Sequence, residues 1–297
     1  GAGGPALANR LVERLDGAEI TLIDRNGYAT MIPALPDVLS GRVSFDALKR
    51  PLSESVASSV DVVVDDVQRV DLEQRSVYGN EGRYDYDYLV LAQGSSPRFF
   101  GFQPDSGTVH TVHTLERARA FRTAVETAVQ HDRRASVVIV GAGYTGLEVA
   151  SCLKVGFRHT GASPRIIIVE LADTILPFLE EKERRRIMEY FDSIDVEIRT
   201  GTSLSRFSDG TAELSDGTHI NDAVLCWSAG MQAAPTEFSG PTEKTNDGRL
   251  VTNEYLQLQE FPEVCAAGDM AALQKDGKVL RRAVNFAYYS GRRAGEN

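Results

Sequence analysis

Glycines spaced as in dinucleotide-binding turns occur in residues 137–146, which read VVIVGAGYTG. Gly141 permits a tight turn from strand to helix, Gly143 lets the backbone approach a pyrophosphate, and Gly146 lets the helix pack closely on the strand. The pyrophosphate rests on unpaired N–H groups at the positive end of the helix dipole. The next apolar run, IIIVE, ends in Glu170, a carboxylate that accepts hydrogen bonds from an adenosine ribose and disfavours a 2′-phosphate.

A second copy of this pattern stands at the amino end. Residues 1–6 read GAGGPA, and the run ITLID that follows ends in Asp24. Gly1 and Gly3 match the first two glycines, and Ala6 replaces the third, which the motif tolerates. The strand that normally precedes such a turn would lie before Gly1, so we expect it to be missing from this sequence.

Two such sites in one chain indicate two dinucleotides held against each other, as in enzymes that pass electrons from a nicotinamide to a flavin. The alternative is a tight turn in a doubly wound sheet without a ligand, because glycine turns also recur by chance.

Composition agrees with an α/β enzyme of two domains. The chain has 297 residues, of which 42% are hydrophobic, and a formal net charge of −10. Such a charge argues against nucleic acid or an anionic membrane surface as the main partner. No apolar run approaches the roughly 20 residues that span a bilayer, and no signal peptide is recognisable. We expect a protein of the cytoplasmic side, and no metal site.

The three cysteines are far apart and form no C-x-x-C pair. Cys152, Cys226 and Cys265 fit a reducing compartment, and each is predicted to be a small core residue. A flavin enzyme that reduces disulfides needs two neighbouring thiols early in its first domain. Residues 1–151 contain no cysteine, so that subclass is excluded.

The elements that must position these residues follow an alternating α/β pattern. Leu7, Leu11 and Leu15 predict the apolar face of a first helix, which a strand ending at Asp24 follows. Residues 27–60 are predicted to be irregular and then helical. Further strands are predicted at 60–64, 67–72, 76–78, 84–92 (running into a turn at 93–97), 196–199, 203–208, 211–214 and 223–227, and helices at 115–130, 147–153, 180–193 and 283–296.

The chain resembles the two-dinucleotide-fold flavoproteins, the pyridine nucleotide-disulfide oxidoreductase superfamily, and within them type II (non-proton-pumping) NADH dehydrogenases. The resemblance covers nearly all of the chain. It rests on the stretches LIDRN at 22–26, YDYLVLAQGS at 86–95, FFG at 99–101, VLCWSAG at 224–230 and VCAAGD at 264–269.

This resemblance implies an α/β fold of two Rossmann-like three-layer domains, the second inserted in the first. An FAD-binding domain would comprise 1–114 and 262–297, and an NADH-binding domain 115–261. Val67 would meet the adenine of FAD, and Asp269 would take a ribityl hydroxyl. Asp269 as the N-cap of a helix beginning near Met270 is the alternative. The implied FAD residues are Gly1, Gly3, Ala6, Asp24, Arg25, Pro33, Val67, Ala92, Gly94, Ser95, Gly268, Asp269 and Ala287.

The implied NADH residues are Gly141, Gly143, Thr145, Gly146, Glu170 and Gly230. No basic residue directly follows Glu170, so NADH is expected over NADPH. Glu148 matches a glutamate that lies near the nicotinamide and the flavin in this family, and it is the candidate catalytic residue, relaying a proton. The alternative for Glu148 is an ordinary first-turn acid that the helix dipole stabilises.

The acceptor site departs from the family. Quinone-reducing members carry glutamines in the last helix, where this chain has Asn285 and Tyr289. Tyr289 could line a site that stacks a ring, or Tyr288 and Tyr289 could be core residues. The family's carboxy-terminal region, which attaches to the membrane, would follow residue 297. A homodimer and peripheral contact with the cytoplasmic face of a membrane are compatible with the resemblance.

Three functions are therefore weighed. The first passes hydride from NADH to FAD and then electrons to a quinone-type small molecule. The second is sulfide:quinone reductase-like or uses another acceptor, although no well-placed cysteine is evident. The third is a non-catalytic nucleotide-binding module.

Overall fold

The computed structural model describes residues 1–103 and 108–297. In chain order the helices are α1 (Gly3–Arg14), α2 (Asp37–Ser40), α3 (Leu115–His131), α4 (Tyr144–Phe157), α5 (Glu181–Ser193) and α6 (Val284–Ala294). The strands are β1 (Ile20–Asp24), β2 (Tyr28–Thr30), β3 (Lys49–Pro51), β4 (Val60–Val64), β5 (Val67–Asp71), β6 (Ser76–Gly79), β7 (Arg83–Asp85), β8 (Leu89–Leu91), β9 (Ser95–Pro97), β10 (Val109–His110), β11 (Ser136–Val140), β12 (Arg165–Val169), β13 (Val196–Arg199), β14 (Leu204–Ser208), β15 (Thr211–Leu214), β16 (His219–Ile220), β17 (Ala223–Trp227), β18 (Met231–Ala233), β19 (Glu237–Ser239), β20 (Val264–Ala266), β21 (Gln274–Lys275) and β22 (Lys278–Val279). Three-residue 3-10 turns lie at Ile32–Ala34, Asp46–Leu48, Leu52–Glu54 and Gly268–Met270.

The chain divides into two compact units. The first unit comprises 1–30, 49–96 and 231–297, and the second comprises 31–48 and 97–230.

The boundaries of these units differ from those of the predicted domains, which lie at 114/115 and 261/262. Residues 231–261 pack in the first unit because β19 pairs with β5 and Leu250 forms a bridge with Ala271. Residues 31–48 pack in the second unit because α2 lies on α4. The binding of FAD by one domain and of NADH by the other stays a prediction.

The second unit is built on a parallel sheet of strand order β10-β17-β11-β12-β13. Its central strands β11 and β12 are almost continuous apolar runs, as expected for strands that are covered on both faces. One cluster of buried side chains joins the sheet to α2, α3 and α4, and another joins it to the antiparallel strands β14–β16. The carboxyl ends of β11 and β12 carry the glycine turn and Glu170.

The helix α2 is held tightly on α4. Val38 and Leu39 of α2 are fully buried, and a Cβ added at Gly156 of α4 would stand 2.6 Å from the carbonyl oxygen of Leu39. Arg122 of α3 donates to the carbonyl oxygen of Val38. A glycine therefore allows the two helix backbones to approach closely.

The first unit contains shorter sheets. The strands β1 and β4 pair in parallel, as do β20 and β8, and a sheet of order β19-β5-β6-β7 includes the expected hairpin. The helices α1 and α6 cross closely: a Cβ added at Gly291 would overlap the carbonyl oxygen of Gly3. The last helix is thereby fixed against the first turn of the helix that follows the amino-terminal glycines.

Three sequence expectations are corrected. The predicted single strand over 84–92 is two strands in different sheets, β7 and β8, because the Tyr86 N–H donates to Arg75 whereas the Leu89 N–H donates to Glu263. Leu15 is not on the first helix face, since the helix ends at Arg14 and Leu15 is extended and 51% exposed. The helical part expected within 27–60 is reduced to the single turn of α2 and the 3-10 turns.

The other expected elements are present within a few residues of their predicted bounds. The structure adds short strands that the sequence did not predict: β2, β3, β9, β10, β16, β18, β19, β20, β21 and β22. The charged helix α5 buries Phe191 alone among its described side chains, as expected for a helix whose charged residues face solvent.

Candidate dinucleotide-binding sites

The glycines of the 141–146 turn have two different roles. Gly141 has φ +103°, and a Cβ there would stand 2.8 Å from Cα of Ala229. A Cβ at Gly146 would overlap the carbonyl oxygen of Gly141. At Gly143, by contrast, an added Cβ would meet nothing within 4 Å. Two glycines therefore serve packing, and the middle one leaves open space at the start of α4, where the pyrophosphate is predicted to bind.

Glu170 is fixed beside this turn. Its Oε2 accepts from the N–H of Ala142 at 2.8 Å, and its Oε1 accepts from the N–H of Ala172 at 2.9 Å. Each carboxylate oxygen retains a lone pair for a ribose hydroxyl. The carboxylate therefore stands at the edge of the cradle that Gly143 leaves open.

The strand next to Glu170 presents no unpaired arginine. The N–H of Glu170 donates to the carbonyl oxygen of Arg199, and the guanidinium of Arg199 pairs with Glu197 and Asp216 at 2.6 and 3.4 Å. A guanidinium held in this way is already neutralised, so this strand favours a ribose over a ribose phosphate.

Two other predicted NADH residues are Thr145, which lies near the same turn, and Gly230, which lies just after β17. Thr145 is an exposed residue in the first turn of α4. Gly230 has φ +133°, and a Cβ there would stand 2.9 Å from the ring of Phe100, while its carbonyl oxygen accepts from the N–H of Arg98. Packing alone accounts for glycine at 230, and its cofactor role stays a prediction.

Glu148 lies one turn into α4 with its side chain exposed, but neighbouring atoms partly desolvate its carboxylate. This desolvation, together with the charge of Asp37 on α2, raises the pKa of Glu148. Asp37 is paired with Arg42 at 2.7 Å, and Arg42 Nη2 also lies 3.8 Å from the sulfur of Cys152. A carboxyl with a raised pKa takes up and gives back a proton more readily near neutral pH.

The amino-terminal turn is organised differently. The helix α1 begins at Gly3, and a Cβ at Gly1 would meet nothing within 4 Å. A Cβ at Gly3 would stand 3.2 Å from the carbonyl oxygen of Ala287 on α6. Ala6 is buried, so the alanine in place of the third glycine is accommodated. Asp24, at the end of β1, accepts from the N–H of Asn26 at 2.9 Å.

Asp269 and Ser95 come together in the first unit. Ser95 Oγ donates to Asp269 Oδ2 at 2.7 Å. Gly268 has φ +62° and donates its N–H to Ser290 Oγ at 2.8 Å, which turns the chain sharply before Asp269. Gly94 has φ +82° with open space where a Cβ would lie. These residues fit a polyol and a planar ring approached by backbone.

The N-cap alternative for Asp269 is wrong. Gly268–Met270 is a single 3-10 turn, and the chain is extended again at Ala271. No helix begins at Met270, so the carboxylate has no helix end to cap. Its acceptor oxygens remain for Ser95 and for a ligand.

The structure brings only some of the remaining predicted FAD residues together. Ala92 faces Gly3, with 4.0 Å between its Cβ and a Cβ added there. Val67 begins β5, and Arg25 is exposed with its Nε 4.0 Å from Asp66. Pro33 lies in the 3-10 turn Ile32–Ala34 and belongs to the second unit, whereas the other predicted FAD residues belong to the first.

The aromatic residues of α6 are not core residues. Tyr288 and Tyr289 are 42% and 67% exposed and pack edge to face, with ring centroids 5.4 Å apart. Asn285 is also exposed, and its Oδ1 accepts from the N–H of Phe286. The alternative that Tyr288 and Tyr289 are core residues is therefore wrong, and a ring-stacking role stays a prediction.

The cysteines are thiols of the interior. Burial raises the pKa of Cys226 to about 12 and that of Cys265 to about 11. Burial also raises the pKa of Cys152. A thiol with so high a pKa is a poor nucleophile.

Sequence reasoning missed an ionic network in the first unit. Asp247 pairs with Arg249 and Arg282 at 3.0 and 2.9 Å. The one sign of it in the sequence is the pair Arg281-Arg282 just before the last helix, because the other members lie more than thirty residues away.

Comparison with known proteins settles the family. The profile of the pyridine nucleotide-disulphide oxidoreductase family matches residues 1–291. The chain belongs to the pyridine nucleotide-disulphide oxidoreductase family. The expected membership of this family is thereby confirmed.

Named relatives within the pyridine nucleotide-disulphide oxidoreductase family include NADH dehydrogenases. An NADH dehydrogenase-like protein of Mycobacterium tuberculosis is 31% identical over 245 residues, which are 79% of this chain and 61% of the relative. A type II NADH:quinone oxidoreductase of Staphylococcus haemolyticus is 24% identical over 290 residues, covering 89% and 70%. The chain thus spans about 61% of the length of the Mycobacterium relative.

Solved structures confirm the predicted α/β fold. A NAD-dependent persulfide reductase from A. fulgidus superposes with a TM-score of 0.84 at 21% identity, over 100% of this chain and 57% of that one. NDH2 from Plasmodium falciparum in complex with NADH gives 0.80 at 18% identity, over 92% and 63%. In the parts of the chain that are described, no helix is both long and apolar enough to cross a membrane.

Proposed function

We propose that this chain is the nucleotide-binding part of an FAD-dependent NADH dehydrogenase that passes electrons to a quinone-type acceptor. The observation that carries the proposal is the complete site at 141–170, where Gly143 leaves a cradle open and Glu170 is anchored beside it. The named relatives support the electron donor and the acceptor. A homodimer at the cytoplasmic face of a membrane is part of the same proposal.

The residues of the second unit would bind NADH and move a proton. The first amides of α4 and the open space at Gly143 hold a pyrophosphate, and Glu170 accepts from a ribose. Glu148, whose pKa is raised, holds or releases a proton within reach of the nucleotide site. The cofactors themselves supply the hydride transfer.

The residues of the first unit would bind FAD. Asp269 accepts from a ribityl hydroxyl in addition to Ser95. Gly94 leaves open space for the cofactor against the backbone, and Gly268, packed against Ala287, turns the chain before Asp269. At the end of β1, Asp24 accepts from the adenosine ribose. Asn285 and Tyr289, exposed on α6, would contact the acceptor.

The sulfide alternative has little support from the site. Chemistry on sulfide in this family needs thiolates at the flavin, and burial keeps Cys226 and Cys265 protonated through pKa values of about 12 and about 11. The non-catalytic alternative is left for experiment.

An anaerobic titration separates the three functions. The purified chain is loaded with FAD, and the flavin absorbance is followed as NADH or sulfide is added. We expect NADH to bleach the flavin and a soluble quinone to restore the absorbance. Bleaching by sulfide alone would replace the NADH dehydrogenase with a sulfide-oxidising enzyme. A chain that binds no flavin would refute both.

A further inference from the structure

The connection between β4 and β5 carries a buried carboxylate. Asp65 is 4% exposed. Its Oδ1 accepts from the N–H of Asn80 at 2.9 Å, and its Oδ2 accepts from the hydroxyl of Tyr84 at 2.7 Å. The N–H of Glu81 donates to both oxygens, at 3.1 and 3.2 Å. The turn between β6 and β7 is thereby tied to the β4–β5 connection.

The contact is close and depends on the charge of Asp65. A Cβ added at Gly79 would overlap Asp65 Oδ2, so only glycine lets the turn approach the carboxylate. Burial opposes ionisation of Asp65, but hydrogen bonds from the Tyr84 hydroxyl and from backbone N–H groups hold its pKa below the ordinary value. Hydrogen bonds to an ionised acceptor are stronger than those between neutral groups. Loss of the charge would therefore loosen the turn.

Asp65 also lies between two residues that are predicted to hold the adenosine of FAD. Its N–H donates to the carbonyl oxygen of Asp24, at the end of β1, at 3.0 Å. The side chain of Asp24 is 28% exposed, which leaves its carboxylate accessible to a ribose hydroxyl. Two residues after Asp65, Val67 begins β5 and pairs with Gly79, beside the turn that Asp65 holds. The backbone of Asp65 thus adjoins the predicted ribose residue, and its side chain holds the strand that pairs with the predicted adenine residue.

The strand pairing around Val67 leaves its position weakly determined. Asp24 and Val67 belong to different sheets, β1-β4 and β19-β5-β6-β7. The pairing of β5 with β6 is also irregular between Val67 and Arg69, and such irregularities change the direction in which nearby residues point. The Asp65 carboxylate supplies a link across the junction of the two sheets.

We propose that Asp65 is a positioning residue for the adenosine half of FAD. By tying the turn at 79–82 to the β4–β5 connection, it sets the separation between Asp24, which would take the ribose, and the backbone at Val67, which would meet the adenine. Asp65 does not itself touch the cofactor, and the glycine fingerprint does not contain it. This assignment rests on the proposed function, since it requires FAD in the first unit.

The test compares three ligands of the flavin-free chain. FAD carries both halves, FMN carries the flavin without adenosine, and ADP carries adenosine without flavin. Flavin fluorescence reports FAD and FMN directly, and ADP is measured by displacement of FAD. We expect Asp65→Asn to weaken FAD and ADP about tenfold, as for loss of charged hydrogen bonds, and to leave FMN unchanged. Tyr84→Phe removes one donor and should weaken FAD and ADP about threefold.

Asp85→Asn is the matched control, because it removes the same charge from the same hairpin at a side chain that is 68% exposed. Asp85 accepts from Ser76 and pairs with Arg83, so the variant loosens the hairpin away from the junction. It should bind FAD and ADP as tightly as the parent. Thermal melts of the flavin-free proteins check folding. If Asp65→Asn does not fold, Tyr84→Phe decides against the same control.

The outcomes separate this inference from the function beneath it. A parent that binds FAD and is reduced by NADH, with unchanged FAD affinity in Asp65→Asn and Tyr84→Phe, overturns the inference alone. Equal loss of FAD, FMN and ADP, or equal loss of FAD in Asp85→Asn, would also overturn it, because the hairpin would then act only through stability. If the parent binds FMN too weakly to measure, ADP and the Asp85→Asn control decide. A parent that binds no FAD overturns both the inference and the proposed function.

Discussion

The two glycine turns share a sequence pattern but differ in what their glycines contact. In the 141–146 turn, Gly146 is pressed against the carbonyl oxygen of Gly141, so the close approach lies inside the turn itself. In the amino-terminal turn, Gly3 stands against Ala287, and Gly291 of α6 stands against Gly3. The close approach there is between two helices, and the glycine that it needs most lies nearly three hundred residues away.

This difference shows that one motif meets the same geometric need in two ways. The 141–146 turn is complete within a local β-α-β segment, and the 1–6 turn depends on the carboxy-terminal helix. The first can be read from a short stretch of sequence. The second can be recognised only together with Gly268, Asp269 and α6.

Gly146→Ala should have the largest effect, because its Cβ would overlap backbone that has no free volume to move into. We expect the free energy of unfolding to fall by about 3 kcal/mol, the upper end for overpacking, in a denaturant titration. Gly143→Ala is the matched control, with open space at its Cβ. It should keep the parent's stability and lose NADH affinity. Equal destabilisation by both substitutions would contradict the division of roles.

Gly291→Ala tests the helix crossing. The added methyl would overlap the carbonyl oxygen of Gly3, and we expect a loss of about 2 kcal/mol together with weaker FAD binding, measured by melting and by flavin content. Gly277→Ala lies on an open hairpin turn with φ +72° and should leave FAD binding unchanged. Normal flavin content in Gly291→Ala would separate the α1–α6 contact from the cofactor.

Glu170→Ala and Asp269→Ala form a reciprocal pair. Removing Glu170 deprives the Ala142 and Ala172 amides of their acceptor and should weaken NADH about tenfold while flavin content is kept. Asp269→Ala should lower flavin content, because the cofactor loses a charged acceptor. Parallel NADH and FAD titrations of both variants are the measurement. Loss of FAD in Glu170→Ala would show that the two sites are not independent.

Glu148→Gln should have the smallest effect, visible only through pH. The folded-state pKa of Glu148 is raised, by desolvation and by Asp37, so its stabilising contribution is present below the unfolded value and is lost as pH rises through the folded value. The glutamine side chain of the variant does not titrate, so the variant does not lose this stability as pH rises. Glu148→Gln should therefore be slightly more stable than the parent near pH 7 and equal to it only well below the ordinary pKa of a glutamate, in urea titrations. A difference that is independent of pH would contradict this origin.

Most of the fold can be predicted from the sequence because its signals are local. The runs before and after Gly141 predict β11, α4 and β12, and their burial on both faces follows from their apolar composition. The predictions for Leu15 and for one strand over 84–92 are wrong. The first helix ends before Leu15 because the chain turns there, and the strand is divided because its two halves pair with different partners. Apolar periodicity carries no information on either.

The candidate site shows the same contrast between features with a local sequence signal and features set by tertiary packing. Glu170 beside its turn follows from a short motif, and the structure adds the amides that hold it. The Arg282–Asp247 contact joins residues thirty-five apart through tertiary packing, so no spacing rule indicates it. Exposure of Tyr288 and Tyr289 was also unpredictable, because an aromatic pair on a helix is more often buried.

The contact of α2 with α4 limits how this protein can be dissected. A recombinant fragment cut as 97–230 would retain the parallel sheet and the Glu170 site but lose 31–48, which supplies Val38 and Leu39 to its interior. The face of α4 that α2 normally covers would then be an exposed apolar surface, which promotes aggregation. A soluble minimal nucleotide-binding fragment therefore requires 31–48 to be rejoined to it, for example by a designed linker ahead of residue 97.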